Sequence, residues 1–190
     1  VALMLSKKSS RPVRITMTRE EVFRASGPTS GASMWIKIGA KNDGTIVAGD
    51  TVYKYQAGAF PGSPVMNGCL CGLAAYNVPN QRSVGFDVVS NRPKVAAYRA
   101  PGSPIASYGI ESVLDIIAKT VGMDPIALRE KNATEAGVQM IDGGSLSHGG
   151  YLETVEAIKE HDAYRTELSP NQGRGIASGY WFNGAGESGA

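Results

Sequence analysis

The chain is 190 residues long and 42% hydrophobic, enough for a real core in one ordinary domain or two small ones. Its 19 Lys and Arg against 17 Asp and Glu leave a formal charge of +2, too balanced for a dedicated nucleic-acid binder. No run approaches the ~18 consecutive apolar residues of a membrane span and the N-terminus lacks a secretory pattern, so a cytoplasmic location is expected.

Residues 1–8 read as the tail of a helix, closed by the polar run 6–11 and Pro12, and both chain ends read as cuts through a longer polypeptide. Val13, Ile15 and Met17 alternate with Arg14 and Thr16, which predicts a half-buried strand. Thr18 and Glu21 have the spacing of a capping box, so a short helical turn is expected over residues 19–23. Residues 34–38 and 45–55 are rich in β-formers and flank Asn42-Asp43-Gly44, which tolerate positive φ; together they predict a hairpin. Residues 58–72 are rich in glycine and proline and are expected to be irregular, with a short helix.

Residues 83–89 read as a further strand. Ala106, Ile110, Val113, Leu114, Ile117 and Val121 fall at helical spacing, predicting a helix over 104–121 that Gly122 ends. Asp124-Pro125 supplies an N-cap and first-turn proline for a second helix to about Asn132. Residues 136–150 form a glycine-rich loop with a hinge expected within it, before an amphipathic helix from Tyr151 to about Glu160. Residues 175–182 read as a final strand. Strands and helices do not alternate strictly, so the expected fold is α+β: a two-layer sandwich with helices on one face of a mostly antiparallel sheet, in one unit spanning 1–190.

Cys69 and Cys71 are one residue apart, poor geometry for a disulfide, and are read as small buried side chains in a reducing compartment. His148 and His161 have no partners at metal-ligand spacing, and no metal ligands are assigned. Lys7, Lys8, Arg11 and Arg14 read as solvated surface, and Glu20, Glu21, Glu111 and Asp115 as solvation and ion pairing, with Lys119 the i,i+4 partner of Asp115. Gly184-Ala185-Gly186-Glu187-Ser188-Gly189 is formally G-x-G-x-x-G, but dinucleotide binding needs a following helix and a later acidic residue. It is read as a glycine-rich hairpin or linker. Residues 97–102 differ in kind, because Arg99 precedes Ala100-Pro101-Gly102 and then Ser103-Pro104 at a helix start. Outward-pointing amides at a helix N-terminus beside a fixed cation suit an anion or an anionic cofactor. The plainer alternative is an arginine that anchors a turn.

At this loop the sequence resembles a known family. Ala97-Tyr98-Arg99-Ala100-Pro101-Gly102-Ser103-Pro104 is similar to the cofactor-facing loop in the large, molybdopterin-binding subunit of molybdenum hydroxylases, the xanthine oxidase family. Glu111-Ser112-Val113-Leu114-Asp115, Gly122-Met123-Asp124-Pro125-Ile126-Ala127-Leu128-Arg129 and Lys131-Asn132-Ala133 resemble the helix pair that follows it. Arg11-Pro12-Val13-Arg14 with Thr18-Arg19-Glu20-Glu21, and Gly173-Arg174-Gly175-Ile176-Ala177, resemble flanking family segments in the same order.

The resemblance implies hydroxylation of a carbon centre with water as the oxygen source. It also implies a molybdenum cofactor, as molybdopterin or its cytosine dinucleotide, with 2Fe-2S clusters and FAD on partner subunits or domains. It assigns Tyr98, Arg99 and Ala100 to the cofactor, and Asn67 and Pro101 to the substrate pocket. Carbon monoxide dehydrogenases of the family carry a copper-binding cysteine where Ala100 stands, so CO oxidation is not expected. Xanthine-oxidising members have a phenylalanine where Pro101 stands and an arginine where Asn67 stands. An aldehyde or a non-purine heterocycle is therefore the expected substrate. The family's catalytic glutamate is expected beyond Ala190, so neither Glu111 nor Glu187 is assigned as general base, and the isolated chain is expected to be inactive. The competing expectation is a non-catalytic structural or anion-binding module derived from this family.

Overall fold

The computed structural model describes residues 1–182. The scaffold starts from the hairpin of β1 (Ala32–Ala40) and β2 (Ile46–Gly58). Gly44, at φ 83°, donates to the Lys41 carbonyl, and Asp43 Oδ1 accepts from the Thr45 amide at 3.0 Å, so the Asn-Asp-Gly turn forms as its chemistry predicts. Met34, Ile36 and Ile38 of β1 pack inward, as do Tyr53, Tyr55 and Ala57 of β2. Trp35 and Phe86 are exposed.

After β2 the chain runs through α3 (Val65–Cys71) and returns as β3 (Asn80–Val89). β3 pairs with β2 in parallel, whereas β1 pairs with β2 antiparallel, in the order β1-β2-β3. The sheet is thus mixed, where a mostly antiparallel one was expected. A parallel neighbour needs a crossover of a dozen or more residues, and the glycine-rich stretch with its short helix is that crossover.

α4 (Ser103–Val121) lies on the α3 side of the sheet, and Ala106, Ile110, Leu114 and Ala118 form its buried stripe. It ends on Gly122 in the left-handed region. Asp124 then caps α5 (Pro125–Lys131) by accepting from the Ile126 and Ala127 amides at 2.9 and 3.1 Å. Asn132 fastens α5 to the hairpin: its Oδ1 accepts from the Ile46 amide, and its Nδ2 donates to the carbonyls of Gly44 and Leu128. α6 (Tyr151–Glu160) packs on α5, and α7 (Asp162–Arg165) follows directly.

α3 comes close to β2 because Gly68 within it and Gly72 at its C-cap lack side chains. A Cβ on Gly68 would meet the Tyr55 hydroxyl at 2.7 Å, and one on Gly72 would collide with the Tyr53 hydroxyl.

Several expectations change. Residues 13–17 form no strand, and Ile15 and Met17 are exposed; alternation suits a strand, but a strand exists only with a ladder partner, and none occurs among the described residues. Residues 175–182 likewise join no ladder among the described residues. Before them, α1 (Ala2–Ser9) and α2 (Arg19–Ala25) form as expected, α2 with the full Thr18–Glu21 capping box. No helix among the described residues is long and apolar enough to cross a membrane.

Candidate functional site

Residues 97–102 are held from three sides. Lys94 Nζ donates to the Gly62 carbonyl at 2.7 Å, and the Val95 and Ala96 amides donate to the carbonyls of Ala57 and Pro28. At the far end, Ala100-Pro101-Gly102-Ser103 closes a turn in which the Ser103 amide donates to the Ala100 carbonyl at 3.1 Å. Proline at its second position and Gly102 at φ 90°, ψ −28° at its third give it the character of a type II turn. The Gly102 carbonyl accepts from the buried Tyr55 hydroxyl at 3.0 Å, so β2 reaches under the loop to fix the start of α4.

This arrangement brings the site residues of the sequence analysis to one region. Tyr98, 39% exposed, and Arg99 face outward, while Ala100 and Pro101 are half-buried. Ala100 holds φ 53°, an uncommon conformation for a residue with a side chain. The amides of Tyr98, Arg99 and Ala100 have no acceptor among the described residues, which leaves them available to a ligand. Asn67 comes alongside through α3: a Cβ on Gly102 would overlap the Pro64 carbonyl oxygen and lie 3.1 Å from the Gly68 amide, so the first turn of α3 abuts the Pro101–Gly102 turn. Beside Tyr98 a shallow hollow of about 370 Å³ is lined by Thr29, Ser30, Pro104 and Ile105. A larger hollow of about 810 Å³ lies between residues 131–143 and the hairpin turn, away from this loop.

The approach to α3 is pinned by Asp87, whose carboxylate accepts from the Gly62 and Ser63 amides at 2.6 and 2.8 Å. Burial works to raise its pKa, but the bonds from Ser63 and Gly62, with Lys94 nearby, hold it below the ordinary 3.8. A depressed carboxyl stabilises the fold above its unfolded value and loses that contribution as pH falls through its folded value. The Gly62 and Ser63 amide proton shifts are therefore expected to titrate together below about pH 4, and Asp87→Asn to flatten both curves. Unchanged titration in that variant would remove Asp87 from the role.

Behind the loop lies a buried polar cluster absent from the sequence analysis. Glu111, 5% exposed, is not solvated as expected: its Oε2 accepts from Arg129 Nε at 2.8 Å and from the Ser178 amide at 2.9 Å, and its Oε1 from the Tyr76 hydroxyl at 2.5 Å. Asp115 pairs with Arg129 at 2.9 Å, not with Lys119. Burial opposes the Arg129 charge, but the Glu111 carboxylate outweighs it and raises the guanidinium pKa. Burial, reinforced by the Glu111 charge, pushes the Tyr76 hydroxyl up, so it stays a donor. The signal was present in the sequence, since Glu111 shares the helical stripe of Leu114 and Ala118. The formal glycine motif at 184–189, with Glu187, lies outside the described residues.

Residues 1–133 match the family described as molybdopterin cofactor-binding domain. The chain is 30% identical over 161 residues to the nicotinate dehydrogenase large molybdopterin subunit of Eubacterium barkeri, covering 83% of this chain and 38% of that protein. It is 32% identical over 132 residues to an aldehyde oxidoreductase of Megalodesulfovibrio gigas, covering 68% of this chain and 15% of the relative. Among solved structures, the aldehyde oxidoreductase from Desulfovibrio gigas superposes with a TM-score of 0.71 at 26% identity, over 82% of this chain and 18% of that one. The chain therefore spans well under half the length of these relatives.

Proposed function

Since the chain belongs to the molybdopterin cofactor-binding domain family, we propose that residues 97–102 form one wall of a molybdenum-cofactor site in a larger oxidoreductase subunit. The observation that carries this reading is the loop itself: amides at Tyr98, Arg99 and Ala100 with no acceptor among the described residues, and the exposed Arg99 guanidinium, just before a 19-residue helix. This donor set fits the group. Phosphate and dithiolene are anionic, and a pterin edge is rich in acceptors, so fixed N–H donors and a permanent cation match it without reorganisation. Arg99 and the Tyr98–Ala100 amides would hold the cofactor, and the helix dipole of α4 adds to the positive potential there.

When bound, the cofactor supplies two-electron oxidation of a substrate carbon with oxygen drawn from water. This chain's contribution is to bind and orient. Ala100 presents only a methyl group beside the amides, and no thiol for a second metal. Pro101 and Asn67, brought together by the contact of α3 with Gly102, would border the substrate. Neither offers an aromatic face to stack on or a cation to pair with. That chemistry favours an aldehyde or a non-purine heterocycle. Two of the relatives are named for an aldehyde and for nicotinate. Electrons would leave through 2Fe-2S and FAD groups on partner subunits or domains, and the general base would come from another part of the polypeptide.

The test is Arg99→Ala in the full-length protein. Losing one charge-assisted contact should weaken cofactor retention by roughly tenfold or more, read as molybdenum content by elemental analysis. Circular dichroism should be unchanged, because the side chain is exposed on a loop. Unchanged molybdenum content together with unchanged turnover would overturn the assignment and favour a structural module.

A further inference from the structure

Residues 175–182 run along α4 with Ile176, Ser178 and Tyr180 half-buried and Gly175, Ala177 and Gly179 exposed. The segment has the alternation of a strand without a ladder, so sheet hydrogen bonds do not fix its register. Two contacts with α4 do. The Ser103 hydroxyl, at the first residue of the helix, donates to the Tyr180 carbonyl at 2.6 Å, and Glu111 Oε2 accepts from the Ser178 amide at 2.9 Å.

We propose that Glu111 is a positioning residue that sets the register of residues 175–182 on α4, so that this segment runs toward the end of the helix where residues 97–102 lie. Geometry explains why a glutamate does this. Ser103 and Glu111 are about 12 Å apart along the helix axis at 1.5 Å per residue, whereas Ser178 and Tyr180 are about 7 Å apart in an extended chain. Helical side chains tilt toward the N-terminus, and the longer reach of Glu111 in that direction closes the difference. The rest of the cluster aims the carboxylate: Arg129 grips Oε2, Tyr76 occupies Oε1, and Tyr151 bonds both the Tyr76 hydroxyl and the Ser178 hydroxyl. Arg129 keeps Asp115 and the Pro125 carbonyl as further partners, so its charge does not depend on Glu111 alone. Reach, not charge, is the property the position requires.

That claim separates two conservative substitutions. Glu111→Gln keeps the length and an acceptor oxygen for Ser178 but removes the charge; Glu111→Asp keeps the charge and shortens the reach. In the full-length protein, hydrogen–deuterium exchange of peptides covering 175–182 should stay near wild type in Glu111→Gln and rise roughly tenfold in Glu111→Asp, with α4 protected in both. Ser178→Pro, which deletes the amide donor together with the hydroxyl that Tyr151 bonds and leaves the Glu111–Arg129 pair in place, should reproduce the Asp result, whereas Ser178→Ala, which loses the hydroxyl alone, should stay near wild type. Protection in the Asp variant with loss in the Gln variant would overturn the proposal in favour of charge, as would unchanged exchange in Ser178→Pro. The bearing on the cofactor wall rests on the function proposed above, whereas the register does not. Exchange is therefore read on its own and molybdenum content beside it, so that either can fail alone.

Discussion

Arg129→Ala is expected to destabilise the fold by about 3–5 kcal/mol, seen as a large fall in the denaturant midpoint with little change in slope. Its side chain is fully buried, and its removal leaves the Glu111 carboxylate enclosed at 7% side-chain exposure without its counter-charge. Tyr76 and the Ser178 amide still donate to that carboxylate, but neither carries a charge. The loss is mainly the cost of a stranded ion and says little about what the pair contributes when intact. Removing both partners should therefore be milder than removing one. A double variant, Arg129→Met with Glu111→Gln, is expected to be more stable than Arg129→Ala alone. If Arg129→Ala unfolds within about 1 kcal/mol of wild type, water reaches Glu111 and the site is not closed.

Gly102→Ala is expected to have the second largest effect, on the order of 3 kcal/mol, and to act on the site as well as on stability. Two penalties coincide. The backbone holds φ 90°, where a Cβ is strained, and the added carbon would overlap the Pro64 carbonyl oxygen, a backbone atom that cannot rotate away. The collision can be relieved only by moving α3 away from α4, which separates the turn carrying Asn67 from the one carrying Pro101. Molybdenum content in the full-length protein should fall alongside the melting temperature. A variant that melts like wild type would show that the two turns are not in close contact.

The sequence made some of this legible and hid the rest for definite reasons. α4 could be read because its apolar residues recur at helical spacing and Gly122 and Asp124 mark its end and the next start. The hairpin could be read because Asn42-Asp43-Gly44 is a local turn signal. The parallel pairing of β3 could not, since alternation marks a strand but names no neighbour. Residues 13–17 show the same gap in reverse, a strand pattern with no partner among the described residues. Pro101-Gly102 announces a turn, yet nothing local reveals that it seats on Pro64 and Gly68. Glu111 and Arg129 lie 18 residues apart on different helices, beyond the i,i+4 spacing by which charged pairs are recognised, so Asp115 was matched to Lys119 when its partner is Arg129. Asn132 likewise bonds across more than 80 positions to Ile46 and Gly44.

The bare positions in α3 and at its C-cap have an implication for chains descended from a common ancestor with this one. Gly68 and Gly72 specify the spacing between α3 and β2 by what they lack, and the Tyr55 and Tyr53 hydroxyls take up the room. Tyr55 is also the group that grips the Gly102 carbonyl, so helix spacing and loop placement are not independent traits. A lineage that gains a side chain at Gly68 must also give up or reshape Tyr55, and with it the support of the loop. Paired change at these positions would mark relatives in which the loop has been released from its original work, even where Tyr98 and Arg99 survive as letters in the sequence.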